Sequence, residues 1–356
     1  MAWLGIEGHD EVVEQFRRAL ARGRLASAFL FVGPRGIGKR TFAQRLAQAL
    51  LCQASQPNEL SPCGKCDSCV QVLAGTHPDM TVIEKPAGKS SIPLELLLGD
   101  KEHRMREGLC HAISLKPFMG GRKVAIIDDA DDLNEEGANC LLKTLEEPPP
   151  HSVLILVGTS AERQLPTIRS RTQLIRFRPL EVDLVARLLV ERELISDAQP
   201  ARRLAEFSDG SLARAVELAD NDLWTFREQQ LTALSQPELA SVTVAQNITA
   251  FVDAAGKEAS QRRARARQVV GFAADFFRQR LRATLGMEPV GDAALVRAVK
   301  QGREVSSESV AACLDRTLEA LGQIERNAHM TTLVECWLDD VGRILHTGQP
   351  VAAYDE

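Results

Sequence analysis

The chain is poor in aromatic residues, which make up 4% of its 356 positions and include a single tyrosine. So few rings leave little material for a platform on which nucleic-acid bases stack. A basic excess is also lacking. The 43 Lys and Arg are outnumbered by 48 Asp and Glu, a formal charge of −5, which does not suit a protein that grips DNA by bulk electrostatics. Any contact with nucleic acid is therefore expected to be local or shared with other subunits. No run of about eighteen apolar residues occurs, so no membrane-spanning helix is expected. The first seven residues, Met-Ala-Trp-Leu-Gly-Ile-Glu, have neither a basic start nor an apolar stretch, and no signal peptide is expected. What is present is ordinary globular material, 44% hydrophobic and 26% charged, enough for two or three domains.

Eight cysteines in a chain of this length do not make a disulfide scaffold. Cys110, Cys140, Cys313 and Cys336 are scattered in apolar or helical contexts, where a reduced cysteine packs as a small hydrophobe. A reducing cytoplasm is the expected compartment. Cys52, Cys63, Cys66 and Cys69 form a separate group. Pro62 and Gly64 flank Cys63 and let the chain turn tightly. Four thiolates at this spacing suit a closed, structural Zn²⁺ site with no open catalytic position. A redox pair or four unpaired thiols fit less well, and an iron–sulfur cluster fits the spacing too. Zinc is favoured.

The first half alternates apolar runs with helical patterns. Phe29–Val32, Lys123–Asp128 and Ser152–Gly158 read as apolar, buried strands, Leu174–Phe177 as one more short strand, and Asn134–Glu147 as a helix. Phe42, Leu46 and Leu50 line one face of another. Continuous apolar strands between helices predict an α/β fold with a parallel sheet covered on both faces. After Pro179 the pattern turns helical, with short helices at Asp183–Glu193, Ala201–Phe207 and Leu212–Leu218, and Gly210 as a stop. From about 223 to 346 all patterns are helical, as in Val310, Cys313, Leu314, Leu318 and Leu321, then Leu333, Cys336, Trp337, Val341 and Leu345. Three domains are expected: an α/β domain at 1–178 carrying the cysteine module at 52–69, a small helical domain at 179–222 and an all-helical domain at 223–356. The charge cluster Arg262–Arg267 is expected to be a solvated helix face, with contact to DNA or an acidic neighbour as the minority reading.

Gly33-Pro34-Arg35-Gly36-Ile37-Gly38-Lys39 follows a strand and opens a helix. This is the context of a P-loop, in which backbone N–H groups hold phosphate oxygens and the lysine neutralises the outer phosphates. The strict pattern continues with Ser or Thr as a Mg²⁺ ligand, but Arg40 stands there and Thr41 comes one residue late. One residue is a rotation of roughly 100° on a helix, so Thr41 should point elsewhere. An arginine cannot ligate a cation. Asp128 ends a buried strand, as a carboxylate reaching a Mg²⁺ shell should, and Asp129 follows where ATPases of this kind usually carry a glutamate. ATP binding is compatible with this pattern, and efficient metal-dependent hydrolysis by the chain alone is not expected.

At these residues the sequence resembles the clamp-loader AAA+ subunits of bacterial DNA polymerase III. The resemblance is carried by Gly33–Lys39, the cysteine module, Leu115-Lys116-Pro117-Phe118 with Gly120–Val124, Asp128–Asp131, Asn139-Cys140-Leu141-Leu142-Lys143-Thr144-Leu145-Glu146-Glu147-Pro148-Pro149, and Ser170-Arg171-Thr172. It covers about residues 5 to 220 well. Leu165–Arg171 and, weakly, Ile324–Ala328 resemble the delta-prime branch rather than the tau/gamma motor branch. With the sequence ending near 356, the long extension of a tau subunit is not expected. A tau/gamma-type motor is the alternative, and a zinc-containing nucleic-acid-binding regulator the third reading. Leu94–Glu107 looks like an insertion atypical of the family.

The resemblance implies a subunit of a DNA polymerase III holoenzyme, a nucleotidyltransferase complex, working in the cytoplasm at the replication fork. Its partners would be tau/gamma and delta subunits, the sliding clamp and primed DNA reached through the complex. Ser170-Arg171-Thr172 aligns with the family's Ser-Arg-Cys motif, which makes Arg171 an arginine finger acting in a neighbour's ATP site. Gly33, Pro34, Gly36, Gly38, Lys39, Arg40, Thr41, Asp128 and Asp129 would surround nucleotide. Thr159, with Ser160, matches the sensor-1 position. Gly210–Arg214 resembles the sensor-2 segment, with Arg214 one residue later than the family's arginine. The all-helical region would form the oligomerisation collar.

Overall fold

The computed structural model describes residues 2–348 apart from 57, 58, 87, 105, 120, 303 and 327. Gly120 and Asn327, both used in the sequence comparison, lie outside the described residues, as do residues 349–356. The chain divides into two compact units, Met1–Ala219 and Asp220–Glu356. No described helix is long and apolar enough to cross a membrane.

The first unit is built on five parallel strands: β1 (Ala28–Val32), β2 (Met80–Ile83), β3 (Lys123–Ile127), β4 (Ser152–Val157) and β5 (Gln173–Arg176), in the order β2-β3-β4-β1-β5. The expected α/β class is what the chain adopts. The helices of this unit are α1 (Asp10–Ala21), α2 (Lys39–Leu51), α3 (Asp67–Ala74), α4 (Leu94–Leu98), α5 (Gly108–Ser114), α6 (Glu135–Glu146), α7 (Pro166–Arg169), α8 (Val182–Glu191), α9 (Ala198–Phe207) and α10 (Leu212–Glu217).

Side-chain alternation on β1 divides the core. Phe29 and Phe31 point to one face, where Phe16, Phe42 and Phe177 complete an aromatic cluster with ring centroids 5.0 to 5.9 Å apart in contacts such as Phe16–Phe29 and Phe31–Phe42. Ala28, Leu30 and Val32 point to the other, against Ile127, Leu141 and Leu154. Each such buried ring or aliphatic side chain contributes about 1.5–3 kcal/mol, and the rings of this unit's core gather on one face of the sheet. Asn134 caps α6 by accepting the Gly137 N–H at 2.8 Å, the standard remedy for the unpaired donors of a first turn.

Several elements were not foreseen, among them β2 and α1. β2 is a four-residue strand with no alternation or long apolar run to mark it, and it is positioned by its partner β3 through Met80↔Val124 and Ile83↔Ile127. The helix α1 escaped notice because its buried residues, Val12, Val13, Phe16 and Leu20, are spread among charges. At the start of the Leu94–Glu107 segment, Leu97 and Leu98 are buried with Ile92 in the second sheet face.

The second unit is all-helical: α11 (Asn221–Ser235), α12 (Ser241–Asp253), α13 (Ala259–Thr284), α14 (Ala293–Gln301), α15 (Ser307–Glu325) and α16 (Met330–Thr347). Trp337 is fully buried at its centre and donates its indole N–H to Thr317 Oγ1 at 3.1 Å. The guanidinium of Arg227 is buried against Asp292, at 2.9 Å and 3.1 Å, and Asp292 also caps α14.

Two expectations for this region need correction. Arg262–Arg267 is not a solvated face: Ala266 is fully buried, and Arg265 pairs with Asp220 while its guanidinium lies 4.6 Å from the centre of the Phe251 ring. Helical rotation carries this short basic run across a packed face, where an aromatic ring and a carboxylate take up the charge. Cys336 is exposed rather than packed, and Cys140 is half-buried. On α16 the inward face belongs to Leu333, Val334, Trp337, Leu338 and Val341, which turns position 336 outward.

Candidate functional site

The turn from β1 to α2 is shaped by glycine. Gly33, Gly36 and Gly38 all have positive φ. At Gly36 space matters as well, since a Cβ would collide with Ser211 Oγ and with the Ala213 side chain at the start of α10. The turn therefore lies directly beneath that helix, and the Gly36 carbonyl accepts the Ala213 N–H at 3.4 Å. Lys39 is buried at the first position of α2, with Nζ donating to the carbonyls of Gly33 and Pro34 at 2.6 Å each. Burial pulls its pKa down to about 8, against the opposing pull of Asp128 and Asp131.

Above this turn is a cavity of about 620 Å³. Gly36, Gly38, Lys39, Arg40 and Thr41 line it on one side, and Asp128, Asp129 and Thr159 on another. Ile6, Leu180, Leu188, Leu212 and Val216 give it an apolar end. A polar, N–H-rich floor beside an apolar recess has the form of a mononucleotide site, in which phosphates meet the helix terminus and the base meets hydrocarbon. Thr41, expected to point away, borders the cavity. Arg214 and Arg171 are not among its lining residues: Arg214 pairs with Asp209, and its neighbour Ala213 lines the cavity instead.

The carboxylate that would reach a Mg²⁺ ion is engaged by a side chain. Arg40 Nη1 lies 3.2 Å from Asp128 Oδ2 and also pairs with Glu84. Burial and the adjacent Asp129 raise the pKa of Asp128, and Arg40 opposes them. Mg²⁺ requires oxygen ligands in near-ideal octahedral geometry. Residue 40 offers none, and the carboxylate that would serve is already neutralised. These residues do not fit a Mg²⁺ ion.

Three further groups were not anticipated. Asp131 accepts the backbone N–H and the hydroxyl of Thr159 on one oxygen and the Gln164 amide on the other, at 2.8 Å, which fixes the loop after β4. His9 borders the cavity with Nε2 donating to the Ile37 carbonyl at 2.8 Å. Burial lowers its pKa, disfavouring the charged form. Glu84, the second partner of Arg40, follows the unforeseen strand β2. Nothing in the sequence marks His9 or Glu84, because a lone histidine or glutamate has no spacing to read.

The four cysteines of the module converge, with their sulfurs all within 4.8 Å of one another. Cys52 and Cys66 are 3.9 Å apart, close to the ~3.8 Å edge of a tetrahedron with metal–sulfur bonds of about 2.3 Å and far beyond a disulfide bond. The backbone N–H groups of Cys63 and Cys66 donate to Cys52 and Cys63 sulfurs at 3.3 Å. The N–H groups of Lys65 and Cys66 bring the Cys63 pKa down to about 6, while burial pushes Cys69 up to about 12. A buried thiolate at Cys69 thus needs a cation beside it. The cluster could hold a metal ion. It is tethered to the sheet domain by Trp3, whose indole N–H donates to Leu60 at 2.9 Å, and by Gln48 of α2, which donates to the Cys69 carbonyl at 3.4 Å.

Arg171 follows α7, away from the cavity. Nη2 meets Glu146 Oε1 at 2.6 Å, and Nη1 donates to Thr167 O and Ser170 Oγ at 3.1 Å each.

Residues 8–181 match the family described as DNA polymerase III, delta subunit. The chain is 39% identical over 150 residues to DNA polymerase III subunit delta′ of Pseudomonas aeruginosa, covering 42% of each chain. It is 31% identical over 216 residues to subunit delta′ of Bacillus subtilis, 61% of this chain and 60% of that one. With subunit gamma/tau of Mycobacterium tuberculosis it shares 31% identity over 253 residues, 70% of this chain but 42% of the relative. The matched segments thus span about two fifths to three fifths of these relatives. Residues 8–181 are thus similar to the delta and delta′ subunits of DNA polymerase III, with gamma/tau subunits as near relatives.

Proposed function

We infer that the chain is a delta′-type subunit of the clamp loader of a bacterial replicative DNA polymerase III, a structural and regulatory member of the ring rather than its motor. The observation that carries this reading is the Arg40 pair with Asp128 and Glu84 in an otherwise intact phosphate-binding turn. A motor needs Mg²⁺ and a polarised water there, whereas this site has a guanidinium and the shorter Asp129. Gly33, Pro34, Gly36, Gly38, Lys39, Arg40, Thr41, Asp128, Asp129 and Thr159 hold ATP or a related nucleotide, and Arg214 contributes at most from the margin. Arg171 lies outside its own chain's cavity, which supports a role in trans: its fixed charge offsets charge developing on the phosphate in a neighbour's site.

Cys52, Cys63, Cys66 and Cys69 hold a structural Zn²⁺ that pins the module to α2 and α3; zinc supplies rigidity here and no chemistry. The sheet domain is assigned to 1–178, the lid to 179–222 and the collar to 223–356. The partners are tau/gamma and delta subunits, the sliding clamp and, through the assembly, primed DNA, all in the cytoplasm. The gamma/tau match over 70% of this chain favours the alternative, a tau/gamma-type ATPase. ATP turnover by the purified chain separates the two. The delta′ reading expects negligible turnover. Robust turnover that is abolished by Lys39→Ala would establish the motor instead.

A further inference from the structure

β2 and β3 are hydrogen-bonded neighbours in register Ile83↔Ile127. The residues just beyond their carboxyl ends, Glu84 and Asp128, therefore stand side by side facing the turn that opens α2. Two unpaired carboxylates in that position repel each other, and a cation between them removes the conflict. Arg40 supplies it from the first turn of α2, where the phosphate-binding N–H groups also originate. Both contacts come from Nη1. A guanidinium has five donors in a planar fork and is always charged, so the remaining N–H groups stay available to phosphate oxygens. Arg40 thus places a fixed positive charge on the cavity floor beside the Lys39 amine.

We propose that this cavity binds its nucleoside polyphosphate without a divalent cation, with Arg40 as the resident cation between the phosphates and the Glu84–Asp128 pair. The proposal rests on the nucleotide reading of the cavity given above. For Mg²⁺ to bind, it would have to displace Arg40 from two carboxylates and then find no hydroxyl at position 40.

The test is titration of a fluorescent adenine nucleotide into the full chain in EDTA and in Mg²⁺. The wild type should bind with dissociation constants that agree within about threefold between the two conditions. Arg40→Thr returns a hydroxyl to the position and frees both carboxylates, and should bind at least about tenfold more tightly with Mg²⁺ than with EDTA. Arg40→Lys keeps the charge and should keep the metal independence. Mn²⁺ followed by electron paramagnetic resonance gives a second readout: nucleotide-dependent Mn²⁺ binding should appear in Arg40→Thr and be absent from the wild type. Wild-type binding seen only with Mg²⁺ overturns the proposal and leaves the nucleotide reading standing. Binding by Arg40→Thr alone makes Arg40 a plug and also overturns it. No binding by any form, in either condition, overturns both.

Discussion

Arg171 is held by Glu146 at 2.6 Å, an ion pair within the chain that points the guanidinium along the surface rather than into its own cavity. Both side chains remain partly exposed, and pairs of that kind contribute only about 0.2–1 kcal/mol. The pair is thus weak enough for a more highly charged acceptor, such as a phosphate on a neighbouring subunit, to displace Glu146. Glu146→Gln should change the unfolding free energy in urea by less than about 1 kcal/mol. A loss near 3 kcal/mol would make the pair a structural bond and Arg171 unavailable to a partner.

Asp79 sets the exposed loop that carries Phe118. Its buried carboxylate accepts the N–H groups of Phe118 and Met119 at 2.7 and 2.9 Å and faces Lys123 Nζ at 3.3 Å. Burial alone would raise its pKa, but these three partners outweigh burial and hold it below the ordinary 3.8. A carboxylate with a depressed folded pKa contributes stability that is fully present above its unfolded value and is lost as pH falls through the folded one. The wild type should therefore lose this contribution only below about pH 3.8. Asp79→Asn should cost about 3 kcal/mol at neutral pH, and the gap between variant and wild type should narrow in acid. Urea midpoints measured from pH 3 to 7 check this, and a gap that does not vary with pH would refute it.

The cysteine module predicts a metal stoichiometry. Titrating the native chain with a mercurial thiol reagent in the presence of a chromogenic chelator should release about one Zn²⁺ per chain. Because the module is fastened to α2 and to the Trp3 segment, metal loss should also lower the thermal midpoint. Less than about half an equivalent of zinc, without iron, would remove the site.

The sheet and the site were legible to different degrees. β1, β3 and β4 are buried on both faces and appear as continuous apolar runs; β2 could not be read because a four-residue strand is defined by its partner. The phosphate turn and the cysteine cluster were legible because their chemistry depends on fixed spacing along the chain. Glu84 and His9, which complete the site, come from segments distant from the phosphate turn, and no local pattern announces them; Asp131 lies in the Asp128–Asp131 run, but its bonds to Thr159 and Gln164 form only in the fold. Likewise the Arg262–Arg267 run looked solvated until Phe251 and Asp220 met Arg265.

The central claim, that this chain lends Arg171 to a neighbouring motor, is tested most directly by clamp-dependent ATP turnover in the reconstituted loader. An arginine finger contributes on the order of 10³-fold or more at the site it serves. In a ring with several ATP sites only one would lose its finger, so the loss in total turnover should be partial. Arg171→Ala should lower turnover and clamp loading while zinc content, folding and assembly match the wild type. Loading kinetics unchanged in the assembled ring would contradict the account and leave Arg171 a surface arginine paired with Glu146.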